Sequence, residues 1–117
     1  MCDKQLQDVQ DYIQYQFEDF SSFKLAVFLN SGEIKVKVGD QNLLENLLSS
    51  IGTQNFRLDD QEFNLEKETP GLKEFTTESG SSRVFLAENR ENVLIVYCNG
   101  NKKDEPKIRE LITDFLF

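Results

Sequence analysis

Two short stretches are apolar at every position: Leu25-Ala26-Val27-Phe28-Leu29 and Val93-Leu94-Ile95-Val96-Tyr97-Cys98. A strand sends alternate side chains to opposite faces of its sheet. A strand with no polar alternation therefore needs cover on both faces. At about 25 cal/mol per Å2, leaving two or three such side chains in water forfeits several kcal/mol. That is comparable to the whole net stability of a small domain. Any fold of this chain places the two runs in the middle of a sheet.

The rest of the sequence supplies candidates for the cover. From Asp3 to Phe20, Leu6, Val9, Ile13, Phe17 and Phe20 recur at helical spacing, while Gln5, Gln7, Asp8, Gln10, Asp11 and Gln14 are polar. Tyr12 falls at the edge of this stripe and Tyr15 on the far side. Leu43, Leu44, Leu47, Leu48 and Ile51 mark a second helical face, with Asn42 and Glu45 spaced as a capping box and Gly52 as the stop. Ile108, Leu111, Ile112, Phe115 and Leu116 mark a third, with Asp104 as its cap and Pro106 in the first turn.

Between these lie the other strands. Asn30-Ser31-Gly32-Glu33 is turn chemistry. It leads into Ile34-Lys35-Val36-Lys37-Val38, a period-2 alternation with Lys on one face, which suits a sheet edge. Leu72–Thr77 and Ser82–Ala87 read as strands joined by a turn at Gly80-Ser81. Glu88 to Asn92 is a polar hairpin loop before the second apolar run. Thr53 to Gly71 is acidic and reads as a long loop, with room for one extra strand or turn, closed by Pro70-Gly71.

The order is helix, two strands, helix, three strands, helix. The expected class is α+β: a single domain over residues 1–117, with a five-stranded antiparallel sheet and helices on both faces. A chain of 117 residues with ten Phe and 38% hydrophobic content is sufficient for one packed core.

Composition excludes several functions. Twenty-one acidic and 13 basic residues give a net charge of −8, which opposes a nucleic-acid backbone. There is no His, hence no His general base and no His metal ligand. Cys2 and Cys98 lack a CxxC spacing, so no zinc site and no disulfide is expected, and Cys98 reads as a small buried hydrophobe. No apolar run approaches the roughly 20 residues of a membrane helix, and no secretory leader is evident. A soluble, cytoplasmic chain is expected. No phosphate-binding GxxxxGK[ST] loop occurs. Asp59/Asp60 and Glu66/Glu68 lack calcium-loop spacing and read as a solvated acidic loop. Ser79, Ser81 and Ser82 have no partner base. Lys102-Lys103 reads as a solvated turn. No catalytic residue, cofactor or metal is expected.

The layout resembles the roadblock/dynein light-chain family, a branch of the longin-like and profilin-like folds. The segments that carry the resemblance are Leu25 to Ile34 as a first hairpin, Leu72 to Leu86 as the third and fourth strands, Asn92 to Tyr97 as the last strand and Ile108 to Ile112 as the closing helix. The middle helix is shorter, and the acidic connection longer, than is usual there. The resemblance implies a non-enzymatic scaffold that forms a homodimer, or a heterodimer with a related domain, and serves small GTPases or motor complexes. Carried over by position, the protein interface would be Leu43, Leu44, Leu47, Leu48, Ile51, Leu72 and Phe75, with neither nucleic acid nor membrane insertion involved.

Two alternatives belong to other classes. A RelE-like ribosome-dependent RNase would use Lys73, Arg83, Lys102 and Lys103 on RNA phosphates, but the charge of −8 opposes it and the early hairpin has no place in that fold. An acidic inhibitor or immunity protein would present carboxylates that imitate nucleic acid.

Overall fold

The computed structural model describes residues 3–17, 20, 22–40, 42, 45, 47, 55–58, 60–78, 80, 82–99 and 102–116, the side chains of residues 3–7 and 102 aside. Helix α1 spans Asp3–Phe17. Strands follow at β1 (Phe23–Asn30), β2 (Glu33–Gly39), β3 (Asn55–Leu58), β4 (Gln61–Thr69), β5 (Leu72–Thr77), β6 (Ser82–Asn89) and β7 (Asn92–Asn99). A 3-10 turn at Lys102–Asp104 leads into helix α2 (Glu105–Leu116).

All seven strands form one antiparallel sheet in the order β2-β1-β7-β6-β5-β4-β3. This corrects the expected five strands. The extra pair comes from the acidic stretch read as a loop: Asn55–Leu58 and Gln61–Thr69 are a hairpin around Asp60, which takes a left-handed φ of 61°. Phe56, Leu58 and Phe63 are buried, while Asn55, Arg57, Glu62 and Asn64 are exposed. That is a period-2 pattern, diluted in the sequence by the charges beyond it.

The two apolar runs sit as their composition demands. β1 and β7 are neighbours inside the sheet, and each contributes to a core on both of its faces. On the first face, Ala26, Phe28, Phe85, Leu94 and Val96 pack against Ile13 and Phe17 of α1 and Ile108, Leu111, Ile112 and Leu116 of α2. On the second, Leu25, Val27, Val84, Ile95 and Tyr97 pack against Phe56, Leu58, Phe63 and Phe75, joined by Leu47.

The expectation of helices on both faces is therefore also corrected. Both described helices cover the first face, and the sheet covers much of the second by curling over itself. Phe63 on β4 and Tyr97 on β7 are three strand positions apart, about 14 Å in a flat sheet. Their ring centroids are 5.9 Å apart. Bulges between Phe23 and Leu25, Phe28 and Leu29, and Leu65 and Lys67 supply local bends. The helix expected over Leu43 to Ile51 lies mostly outside the described residues. Leu47, which is described, is helical and fully buried.

Gly39 closes β2 against β1. Its φ is +110°, and a Cβ there would lie 2.3 Å from the Lys24 carbonyl oxygen. That carbonyl accepts the Asp40 N–H at 2.7 Å.

Candidate functional site

One side chain breaks the apolar run of β6. Arg83 follows Ser82 and precedes Val84-Phe85-Leu86-Ala87, and its side chain is only 9% exposed. Strand alternation places it on the α2 side with Phe85 and Ala87. A charge held there needs partners, and three carboxylates supply them. Arg83 Nη1 donates to Glu74 Oε1 at 3.0 Å and Nη2 to Glu66 Oε1 at 2.9 Å. Its Nε lies 3.2 Å from Glu105 Oε1, an ion pair without hydrogen-bond alignment.

Glu74 is the other centre. It lies on β5, is 1% exposed, and accepts a fork from Arg109 of α2, from Nε at 2.9 Å and Nη2 at 2.7 Å. Two parallel bonds between guanidinium and carboxylate fix orientation as well as charge. Burial pushes the Glu74 carboxyl up, but the Arg109 bond and the charges of Arg109, Arg83 and Lys67 outweigh it and hold the group below the usual carboxylate range. Burial likewise pulls Arg83 down, and its bond to Glu66 with the attraction of the Glu66 and Glu105 charges raises it above its ordinary value.

The network joins four elements: β4 through Glu66, β5 through Glu74, β6 through Arg83, and α2 through Glu105 and Arg109. Chemically it is saturated. Glu74, pinned in its ionised form by two guanidiniums, is a poor general base. Arg83, enclosed by carboxylates, is not available to grip the RNA phosphates assigned to it in the RNase alternative. Among the described residues no group of three or more His, Cys, Asp or Glu is arranged to hold a metal ion. Cys98 is buried, and desolvation with the nearby Asp104 and Glu105 charges pushes its thiol up to about 12. It is no nucleophile at neutral pH. The second polar cluster near α2, Ser22 Oγ donating to Asp104 Oδ2 at 2.9 Å, ties the chain before β1 to the 3-10 turn.

The expected interface residues are scattered. Leu47 and Phe75 are buried in the second core of the single chain, and Leu72 is half-buried against the first. Leu43, Leu44, Leu48 and Ile51 lie outside the described residues. The network residues were absent from that expectation. Arg83 in an apolar strand was their one local signal. Glu66 was read as part of a solvated loop, and instead it closes the network.

The curled antiparallel sheet with both described helices on one face is the profilin fold. The chain is similar to Loki profilin 1 in its complex with rabbit actin, at TM-score 0.65 and 13% identity over 98% of this chain and 96% of that one. It is similar to Loki profilin 2 in complex with rabbit actin, at TM-score 0.59 and 16% identity over 99% and 98%. It is also similar to profilin IA of Acanthamoeba castellanii, at TM-score 0.62 and 16% identity over 92% and 94%. No family model and no curated protein matches the chain. These structures carry the profilin-like part of the resemblance, and they carry it at the level of fold. No helix among the described residues is long and apolar enough to cross a membrane.

Proposed function

We propose that this chain is a single-domain, non-enzymatic binding module of the cytoplasm whose partner is an actin-family protein. The observation that carries the reading is the end-to-end likeness to a profilin in complex with rabbit actin, over 98% of this chain and 96% of that one. The charge network supports it in two ways. Its three carboxylates and two guanidiniums are engaged with one another, which suits architecture better than acid–base chemistry. It also locks α2 onto β4, β5 and β6, leaving the half-exposed Glu66 and Arg109 on a rigid polar face. A preorganised face loses less conformational freedom when a partner docks.

The test is a titration of purified chain into labelled monomeric actin, with anisotropy and sedimentation as readouts. A saturable one-to-one complex is expected. No complex with rabbit actin or with the actin of the organism that makes this chain would overturn the reading. The roadblock resemblance implies instead a homodimer, a related-domain heterodimer or a small GTPase partner. A concentration-dependent dimer mass for the chain alone would favour that alternative. Such a dimer could not draw on Leu47 or Phe75 without opening the core.

A further inference from the structure

The β4–β5 hairpin ends in Thr69-Pro70-Gly71-Leu72, with Thr69 registered opposite Leu72. Pro70 fixes the second position of the turn, and Gly71 supplies a left-handed φ of 86° at the third, as a type II turn requires. The Glu88 N–H donates to the Gly71 carbonyl at 2.8 Å, which holds the tip against β6. Thr69 and Pro70 are both exposed, as are Lys67 and Glu68 before them. Thr69 Oγ1 donates to the Leu72 carbonyl at 3.5 Å, well beyond the usual length for a hydroxyl bond, so this hydroxyl is only weakly held.

Alternation along the hairpin sorts the charges around that hydroxyl. Lys67 is registered opposite Glu74, and Thr69 opposite Leu72, so Lys67 and Thr69 share the face of Leu72 and of the charge network. Glu68, opposite Lys73, points to the other face, and Glu88 follows Leu86 there. Glu66 and Glu74, on the Thr69 face, are held by Arg83 and Arg109. Lys67 makes no ion pair among the described residues. On a chain of net charge −8, a dianion on Thr69 would thus lie on the same face as an unpaired lysine about 7 Å back along the strand, with Glu68 turned away.

We propose that Thr69 is a phosphoacceptor for a proline-directed serine/threonine kinase, and that its phosphate pairs with Lys67. Pro70 sets that class. It has no N–H to leave unpaired in an apolar subsite, and it holds the residue before it extended. In the step, Thr69 Oγ1 attacks the γ-phosphorus of ATP. An O–P bond forms as the bond to the β-phosphate oxygen breaks, ADP leaves, and the hydroxyl proton passes to the base of the kinase. The new phosphate is a charged acceptor that the flexible Lys67 ammonium can meet.

The inference does not depend on the actin reading, and its test uses no actin. The folded full chain is incubated with Mg-ATP and a proline-directed kinase, and the product is read by intact mass and fragmentation. One phosphate on Thr69 is expected. It should be retained, on the new hydroxyl, in Thr69→Ser and lost in Thr69→Val and in Pro70→Ala. The second pKa of the phosphate, about 6 when free, is then followed by 31P NMR. A neighbouring ammonium favours the dianion, so this value should be lower in the phosphorylated native chain than in phosphorylated Lys67→Met. No phosphate on the folded chain, phosphate at another residue, or Pro70→Ala modified at the native rate would each overturn the assignment. Equal phosphate pKa values in the native chain and Lys67→Met would overturn the pairing.

Discussion

Glu66 on β4 reaches Arg83 on β6, at 2.9 Å, across the intervening strand β5. Strand alternation from Leu65 points Glu66 to the Arg83 side of the sheet. Leu65 packs toward the second core, and Lys67 pairs with Glu74 on the opposite side. Glu66, the residue after Leu65, alternates to that side, and the bulge brings Lys67 there as well. A loop-like run of charges in the sequence is thereby a strand that supplies one carboxylate to a buried guanidinium.

Removing the charge at the centre of the network takes the carboxylate from Arg109 and leaves the buried Arg83 with only Glu66 and Glu105. Glu74→Gln should cost about 3–5 kcal/mol, the range for breaking a buried pair. Urea unfolding against the native chain measures it. The double substitution Glu74→Leu with Arg83→Met should recover a substantial part of the loss, because burying apolar groups avoids the desolvation of both ions. If the double variant is no more stable than Glu74→Gln, the network is contributing more than charge balance.

The same residue sets an acid limit. The Glu74 carboxyl titrates below its ordinary value of 4.5 in the folded chain. On acidification the unfolded chain therefore takes up this proton first, and stability rises with pH. The contribution of Glu74 is fully present above its unfolded value and is lost as pH falls through its lower folded value. Urea midpoints from pH 3 to 7 should fall on the acid side less steeply in Glu74→Gln than in the native chain. Identical slopes would assign the acid transition to other carboxylates.

Cys98 should be silent to thiol reagents. Burial and nearby carboxylates push its thiol up to about 12. At pH 8 the thiolate is therefore scarce as well as shielded. In a Cys2→Ser background, labelling of Cys98 is expected only at the rate of unfolding and to accelerate in denaturant. Rapid labelling of the native chain would place the thiol at the surface.

The curl of the sheet depends on packed rings. Phe63 is fully buried, with its ring centroid 5.3 Å from Phe56 and 5.9 Å from Tyr97. Phe63→Ala should cost about 3–5 kcal/mol. Tyr15→Ala, at a site 76% exposed, should stay within about 0.5 kcal/mol. Thermal or urea unfolding of the two variants makes the comparison, and a mild Phe63→Ala would mean that β3 and β4 do not seal the second face.

At the close approach of β1 and β2, Gly39→Ala should destabilise by more than about 1 kcal/mol. The new Cβ would meet the backbone at Lys24, and φ of +110° is unfavourable for an L side chain. Gly32→Ala provides the contrast, since nothing lies within 4 Å of a Cβ there. At that position only the left-handed φ of +82° opposes the change.

Local pattern reached the elements whose signal is contained within a few residues. The alternation of Val36 and Val38 with Lys37 gives an edge strand, and β2 is one. The spacing of Ile108, Leu111, Ile112 and Leu116 gives the buried stripe of α2. The unbroken runs at Leu25–Leu29 and Val93–Cys98 demanded two-sided cover, and both strands are interior. What covers them was not legible. Two-sided cover can come from helices or from the sheet's own curvature, and apolar periodicity is the same in both cases. Curvature is set by bulges and by ring contacts such as Phe63 with Tyr97, which lie 34 positions apart in the chain. The charge network is equally non-local. The sequence alone determined that Arg83 would be a cation in an apolar strand. Only the tertiary structure decided that Glu66, Glu74 and Glu105 would enclose it, because strand pairing and helix docking, not neighbourhood along the chain, bring those carboxylates within bonding distance.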